Sequence, residues 1–193
     1  MSKIKALYTR LIKRVYTTSI ESQKHKNLFL YDKKNKVILD WSHKCGCTVT
    51  TRMFFDAMGL LGDVKKFRSG GIHTYRTKKF RYDHPVTTRD ILSSENFLFK
   101  VVRNPYTRVV SSYIDACAKH NENKKNDYLA VTGVKDYQKL TFKQFINALA
   151  KIDLTRQANP HQLAQVKNYE RKGLRQPFIC KLETLSEDIK IVN

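Results

Sequence analysis

The sequence predicts an α/β domain built on a central parallel sheet flanked by helices, and three observations point to it. Apolar, strand-like runs alternate along the chain with segments of helical period. Two of those runs, "KVILDW" and "NFLFKVV", lead directly into a short loop and then a helix. With 193 residues, 41% of them hydrophobic, the chain has the size of one domain and can bury a core without metal or disulfides.

Residues 1–25 read as a basic helical arm. Ile4, Leu7, Leu11, Ile12 and Val15 recur at helical spacing between Lys and Arg, a pattern that suits packing on the domain or lying on a membrane surface. The domain proper spans residues 26–193. "NLFLY" and "KVILDW" flank "DKKNK" as strand, turn and strand. The nearly unbroken apolar run at 37–41 predicts burial on both faces. In "VTTRMFFDAMGLLG" a helix follows, with Val49, Met53, Phe54, Ala57, Met58 and Leu61 on one face and Gly62 as its stop. Residues 62–95 are polar and basic and read as loop with one or two short helices. "NFLFKVVRNP" is a strand ending at Asn104 and Pro105. "YTRVVSSYIDACAKH" is a helix with Tyr106, Val109, Val110, Tyr113, Ile114 and Cys117 inward, and "NENKKND" is a solvated loop. Thr141 and Gln144 form a capping box that opens the helix "TFKQFINALAKI". "PFICKLETL" reads as a third core strand, with a short helix from about Ser186 onward.

Charge narrows the function classes. Lys and Arg number 37 against 17 Asp and Glu, a formal +20, and such a field suits a polyanion or an acidic small molecule. Lys65, Lys66, Arg68, Arg76, Lys78, Lys79 and Arg81 concentrate it between two of the core strands; a solvated face is the ordinary reading of such a run. No RNP, KH, homeodomain or zinc-finger signature accompanies it, so no specific nucleic-acid partner is expected. A non-catalytic binder of nucleic acid or another polyanion is the alternative function. Cys45, Cys47, Cys117 and Cys180 match no small secreted disulfide framework. The pair Cys45 and Cys47 lacks the second pair that a structural zinc site needs, so no metal is expected. No stretch of about 18 apolar residues exists, so no transmembrane segment is expected. Without an apolar signal core the chain reads as soluble and cytoplasmic.

Two loops carry the chemistry. In "DWSHKCGCTVTTR" a strand ends in a Gly-containing loop that opens a helix, and helix N-termini offer unpaired N–H groups to anions. Gly46 allows close backbone approach. Thr48 is placed to cap the helix or to donate to a phosphate oxygen, and Lys44 adds a full charge. The Walker pattern GxxxxGK[ST] is absent. In "FLFKVVRNPYTRVVSSY" Arg103 ends a strand, Pro105 opens a helix and Ser111 lies about two turns in. A guanidinium and a hydroxyl there suit a second phosphate. Two such loops on neighbouring strands suggest a ligand with two separated anionic groups.

These segments, with "YDKKNKVILDWSHKCGCTVTTRMFF" leading the first, resemble the carbohydrate sulfotransferases of the chondroitin, dermatan and HNK-1 type. The resemblance implies a three-layer, P-loop-like sulfotransferase fold. It implies the co-substrate 3′-phosphoadenosine 5′-phosphosulfate (PAPS), the product adenosine 3′,5′-bisphosphate (PAP) and a carbohydrate acceptor, with an anionic glycan as one candidate. It assigns Lys44 and the backbone of Cys45, Gly46, Cys47, Thr48 and Val49 to the 5′ end, and Arg103 and Ser111 to the 3′-phosphate. Arg108 matches the inner arginine of the second motif, in a structural role. Lys44 is then the catalytic cation, and His73 in "GGIHTYR" the first choice of general base, ahead of His84 and His161. The likeness continues more weakly to "HQLAQ" at 161–165 and "KLETLSED" at 181–188. His43 stands where the family usually has Pro, and relatives continue beyond the position of Asn193. Relatives sit in the Golgi lumen, which is the alternative localisation if the chain is an excised domain. Oligomeric state is left open.

Overall fold

Four strands form one sheet in the order β1-β2-β3-β4. They are β1 (Phe29–Asp32), β2 (Val37–Asp40), β3 (Phe97–Val102) and β4 (Phe178–Lys181). The computed structural model describes residues 29–67, 70–118, 140–155 and 160–191. The arm at 1–25 and the "NENKKND" segment lie outside the described residues. Strands β2, β3 and β4 run parallel, while β1 is antiparallel to β2. The sheet is therefore mixed at one edge, because the turn at 33–36 is too short for the crossover a parallel pair needs. Asp32 closes that turn by accepting from the Lys34 and Asn35 amides at 3.0 and 3.2 Å.

Period-two alternation sends side chains to two covered faces. On one, Leu30, Leu39, Phe99, Val101 and Cys180 pack with Phe54, Phe55, Tyr75 and Phe80. On the other, Tyr31, Ile38 and Leu98 pack with Ile91 and Tyr169. The layers are thus helix, sheet and helix. The first face is covered by α1 (Cys47–Ala57), α2 (Leu61–Lys66) and α3 (Gly71–Tyr75). A π-helical turn (Arg76–Phe80) carries α3 on into α4 (Arg81–Asp83). Phe55, fully buried, meets Tyr75 edge-on at 5.4 Å and Phe80 at 4.8 Å between centroids. The second face takes Ile91 from α5 (Thr88–Leu92) and Tyr169 from α8 (Asn168–Arg171). A satellite core of Ala116, Cys117, Phe145 and Leu149 joins the end of α6 (Pro105–Tyr113) to α7 (Phe142–Leu149). Downstream of β4, the short helix α9 (Leu185–Asp188) places Leu185 in the first core.

The second face also holds ions. Asp40 and Lys100, register partners on β2 and β3, are both essentially sealed from solvent. Lys100 pairs with Glu170 and, at 3.6 Å, with Asp40. Lys167 pairs with Asp40, and the Tyr169 hydroxyl donates to the same carboxylate at 2.6 Å. Two cations meet two carboxylates, so the network is internally neutral. Desolvation pushes the Lys167 ammonium below its ordinary value, with Asp40 opposing.

Several expectations need correction. Helix α1 ends at Ala57, capped by Met58 before the positive-φ Gly59, and Gly62 lies inside the next helix. Its buried face is Thr50, Thr51, Phe54 and Phe55, whereas Val49 is 54% exposed. The buried threonines misled the apolar count: Thr51 fills the core by accepting from the Arg76 guanidinium at 3.0 Å. Residues 62–95 are mostly helical rather than loop; exposed lysines on their outer side hide the apolar period of Tyr75, Phe80 and Ile91. On α6 and the π turn after it, Tyr106, Val110 and Ile114 face outward, at 80%, 42% and 43% exposure. The capping box of Thr141 and Gln144 forms as expected.

Candidate active site

Parallel strands leave their carboxyl ends facing one crevice, and here β2 and β3 each feed a loop into it. The β2–α1 loop covers residues 41–46. Lys44 and Gly46 both sit in the left-handed region, at φ 65 and 69°. For Lys44 that conformation is costly, since it crowds the Cβ. A Cβ on Gly46 would stand 2.4 Å from Leu182 Cδ1. No side chain caps α1 at Gly46, so no capping side chain takes up the N–H donors of its first turn. Thr48 does not cap the helix either; its hydroxyl lies 2.9 Å from His73 Nε2.

The carbonyls of this loop are held by three cationic side chains from elsewhere. Lys167 Nζ donates to Trp41 O at 3.1 Å, Arg108 Nε to His43 O at 3.0 Å and Arg103 Nη1 to Lys44 O at 3.3 Å. A turn closes between them, with Cys45 N donating to Ser42 O at 3.3 Å. Tying the C=O groups to cations fixes the loop before any ligand arrives, which is how an anion site avoids reorganisation cost. Arg108 is buried, and desolvation draws its guanidinium below the ordinary value. The same burial pushes the Cys45 thiol up, with Arg108 opposing.

The β3–α6 loop is cross-linked to the first by one amide. Gln165 Oε1 accepts from Arg103 N at 2.8 Å and from the Cys45 thiol at 2.9 Å, and its Nε2 donates to Arg103 O at 2.8 Å. Asn104 caps α6 through its side chain, accepting from Tyr106 N at 2.9 Å. Glu183 Oε1 accepts from Asn104 N at 2.8 Å, a bond that holds its carboxyl below the usual range. Gln165 and Glu183 belong to "HQLAQ" and "KLETLSED", so these weaker stretches supply the brackets of the second loop. Neither role was assigned from sequence, because each depends on a partner more than 60 residues away.

Lys44, Arg103 and Ser111 line one open cleft of about 530 Å³, together with Tyr106, Thr107, Val110, Ile114 and Asp115. Arg103 Nε donates to Thr107 Oγ1 at 3.1 Å, aligning the guanidinium along α6. Lys44 Nζ stands 3.1 Å from Asp115 Oδ2. Cys45 is buried loop packing and Cys47 is half-buried against the first core. Val49 points outward on α1.

The histidines separate. His73 reaches the loop through Thr48, and burial, with Arg76 second, lowers its pKa. Arg76 is itself buried, 3.7 Å from the Trp41 ring centroid. His84 stacks on Phe80 at 4.3 Å, on the helical cover of the sheet. His161 packs edge-on against His43 at 4.6 Å and lies 3.9 Å from Asp115 Oδ2. No helix among the described residues is long and apolar enough to cross a membrane.

No curated protein and no solved structure matched the chain. A family model described as "Sulfotransferase family" matches residues 27–193, which takes in the whole sheet and both loops of the cleft, and the chain therefore belongs to the sulfotransferase family.

Proposed function

We propose that this protein transfers a sulfuryl group from PAPS to a carbohydrate hydroxyl. One observation carries the reading: two anion-type loops, on adjacent parallel strands, bring Lys44, Arg103 and Ser111 to one cleft. A nucleotide with a 3′-phosphate and a 5′-phosphosulfate has two anionic ends, and the loops offer one site to each. The backbone from Cys45 to Val49 and the Lys44 ammonium take the 5′ end. Arg103 and Ser111 take the 3′-phosphate.

PAPS supplies the activated sulfuryl group. The acceptor oxygen attacks sulfur in line, the bond from sulfur to the bridging oxygen breaks, and its electron pair stays on the 5′-phosphate. Lys44 and the N–H groups opening α1 face that growing charge, a contribution of several kcal/mol when pre-set. The acceptor hydroxyl yields its proton to His73 Nδ1, the ring nitrogen left basic when Nε2–H is donated to Thr48, and the lowered pKa keeps the ring neutral and receptive. Thr48, 2.9 Å away, fixes the imidazole beside the loop. Exposed Lys65 and Lys66 lie on α2, Lys78 on the π turn and Arg81 on α4, the elements before and after the helix of His73, so an anionic glycan is the favoured acceptor class.

Calorimetry with PAP tests the reading. Wild type binds saturably, and Lys44→Ala and Arg103→Ala each weaken binding at least tenfold. Equal binding by both variants would overturn the assignment. A labelled-sulfate screen over glycans then identifies the acceptor.

A further inference from the structure

The cleft carries one negative side chain against its two cations. Asp115 Oδ2 is 3.1 Å from Lys44 Nζ, and both side chains are largely shielded, at 14% and 18% exposure. An anion arriving at Lys44 therefore meets an ammonium already matched by a carboxylate. That carboxylate has a second place to go, since His161 Nε2 lies 3.9 Å from the same oxygen. Asp115 also sits in the π-helical turn Ile114–Ala118 that follows α6. Such wide turns are rare and recur at functional sites.

We propose that Asp115 is a placeholder for the ligand's anion: it occupies Lys44 in the ligand-free cleft and is displaced towards His161 when the nucleotide binds. The device keeps a shielded lysine paired between turnovers, and it sets how tightly the bisphosphate product is retained. In this role Asp115 is a positioning residue that acts through Lys44. The proposal rests on the nucleotide reading above.

The test is calorimetric titration of the full chain with PAP, using wild type, Asp115→Asn, Asp115→Glu, Lys44→Met and the Lys44→Met/Asp115→Asn double variant. Asp115→Asn should bind about tenfold tighter than wild type, the change expected on releasing an ion pair worth about 1.4 kcal/mol. Asp115→Glu keeps the carboxylate and should stay within about threefold of wild type. In the Lys44→Met background the gain from Asp115→Asn should vanish, because no ammonium remains to be freed. Thermal melts check folding, and Asp115→Ser replaces the amide variant should that variant not fold. If wild type binds PAP and Asp115→Asn binds equally or more weakly, the placeholder is refuted while the nucleotide reading stands. A gain that persists without Lys44 refutes it too, in favour of plain charge repulsion. If neither wild type nor Asp115→Asn binds PAP, both readings fall together.

Discussion

Replacing Arg108 with methionine removes a carbonyl tether without opening a large cavity. Arg108 Nε donates to His43 O at 3.0 Å from a buried position. A hydrogen bond from a charged donor contributes about 1.5–3 kcal/mol. Against that stands the cost of burying the guanidinium, which lowers its pKa and is relieved in the variant. The two terms oppose each other in global stability, so the net loss should be about 1–2 kcal/mol. In a domain of this size that is a fall in Tm of roughly 2–8 °C. Ligand binding feels only the first term, because the loop must be re-ordered around each anion it takes. PAP affinity should therefore drop by roughly tenfold to a hundredfold, more than stability alone suggests. Arg108→Lys keeps the charge but not the guanidinium geometry and should recover only part. Thermal melting alongside PAP calorimetry reads both quantities. Wild-type affinity in Arg108→Met, at any Tm, would refute the idea that tethered carbonyls prepare the loop.

The remaining predictions concern the base, the loop glycine and the buried ions. Because burial and Arg76 lower His73 from its ordinary 6.5, the acid limb of kcat/KM should fall below pH 6.5, and His73→Gln should abolish that limb with a rate loss of about 10²–10⁴. Stability has the same sign: the unfolded chain takes up this proton first, so the contribution of His73 declines as pH falls from 6.5 towards the folded value. A limb at or above pH 6.5 counts against His73 as the base. Gly46→Ala places a Cβ at φ 69° and 2.4 Å from the mobile end of Leu182; the left-handed backbone costs about 1–2 kcal/mol, and PAP binding should weaken in step with the lower Tm. Asp40→Asn leaves Lys100 and Lys167 under-compensated in the interior, so a loss of about 3–5 kcal/mol is expected in denaturant unfolding.

What the sequence determined by itself was local. Strand runs, the turn at 33–36, the capping box at Thr141 and the loops at Lys44 and Arg103 follow from propensity, patterning and short-range hydrogen bonds. Those signals are complete within a dozen residues, so they survive without knowledge of the fold. The helical cover at 62–95 was not legible, because its buried face mixes Tyr75, Arg76 and Phe80 with long exposed lysines. Likewise Tyr106 and Val110 on α6 and Ile114 on the π turn after it carry an apolar period yet border the cleft instead of a core. Only the tertiary structure decided which distant groups complete the site. Gln165 joining both loops, Lys167 and Arg108 holding carbonyls, and Asp115 on Lys44 are pairings across 62 to 126 residues for the loop contacts and between separate elements for the ion pair. Such partners leave no periodic trace along the chain; they are chosen by the sheet, which sets two loops side by side and makes their buried polar groups find each other.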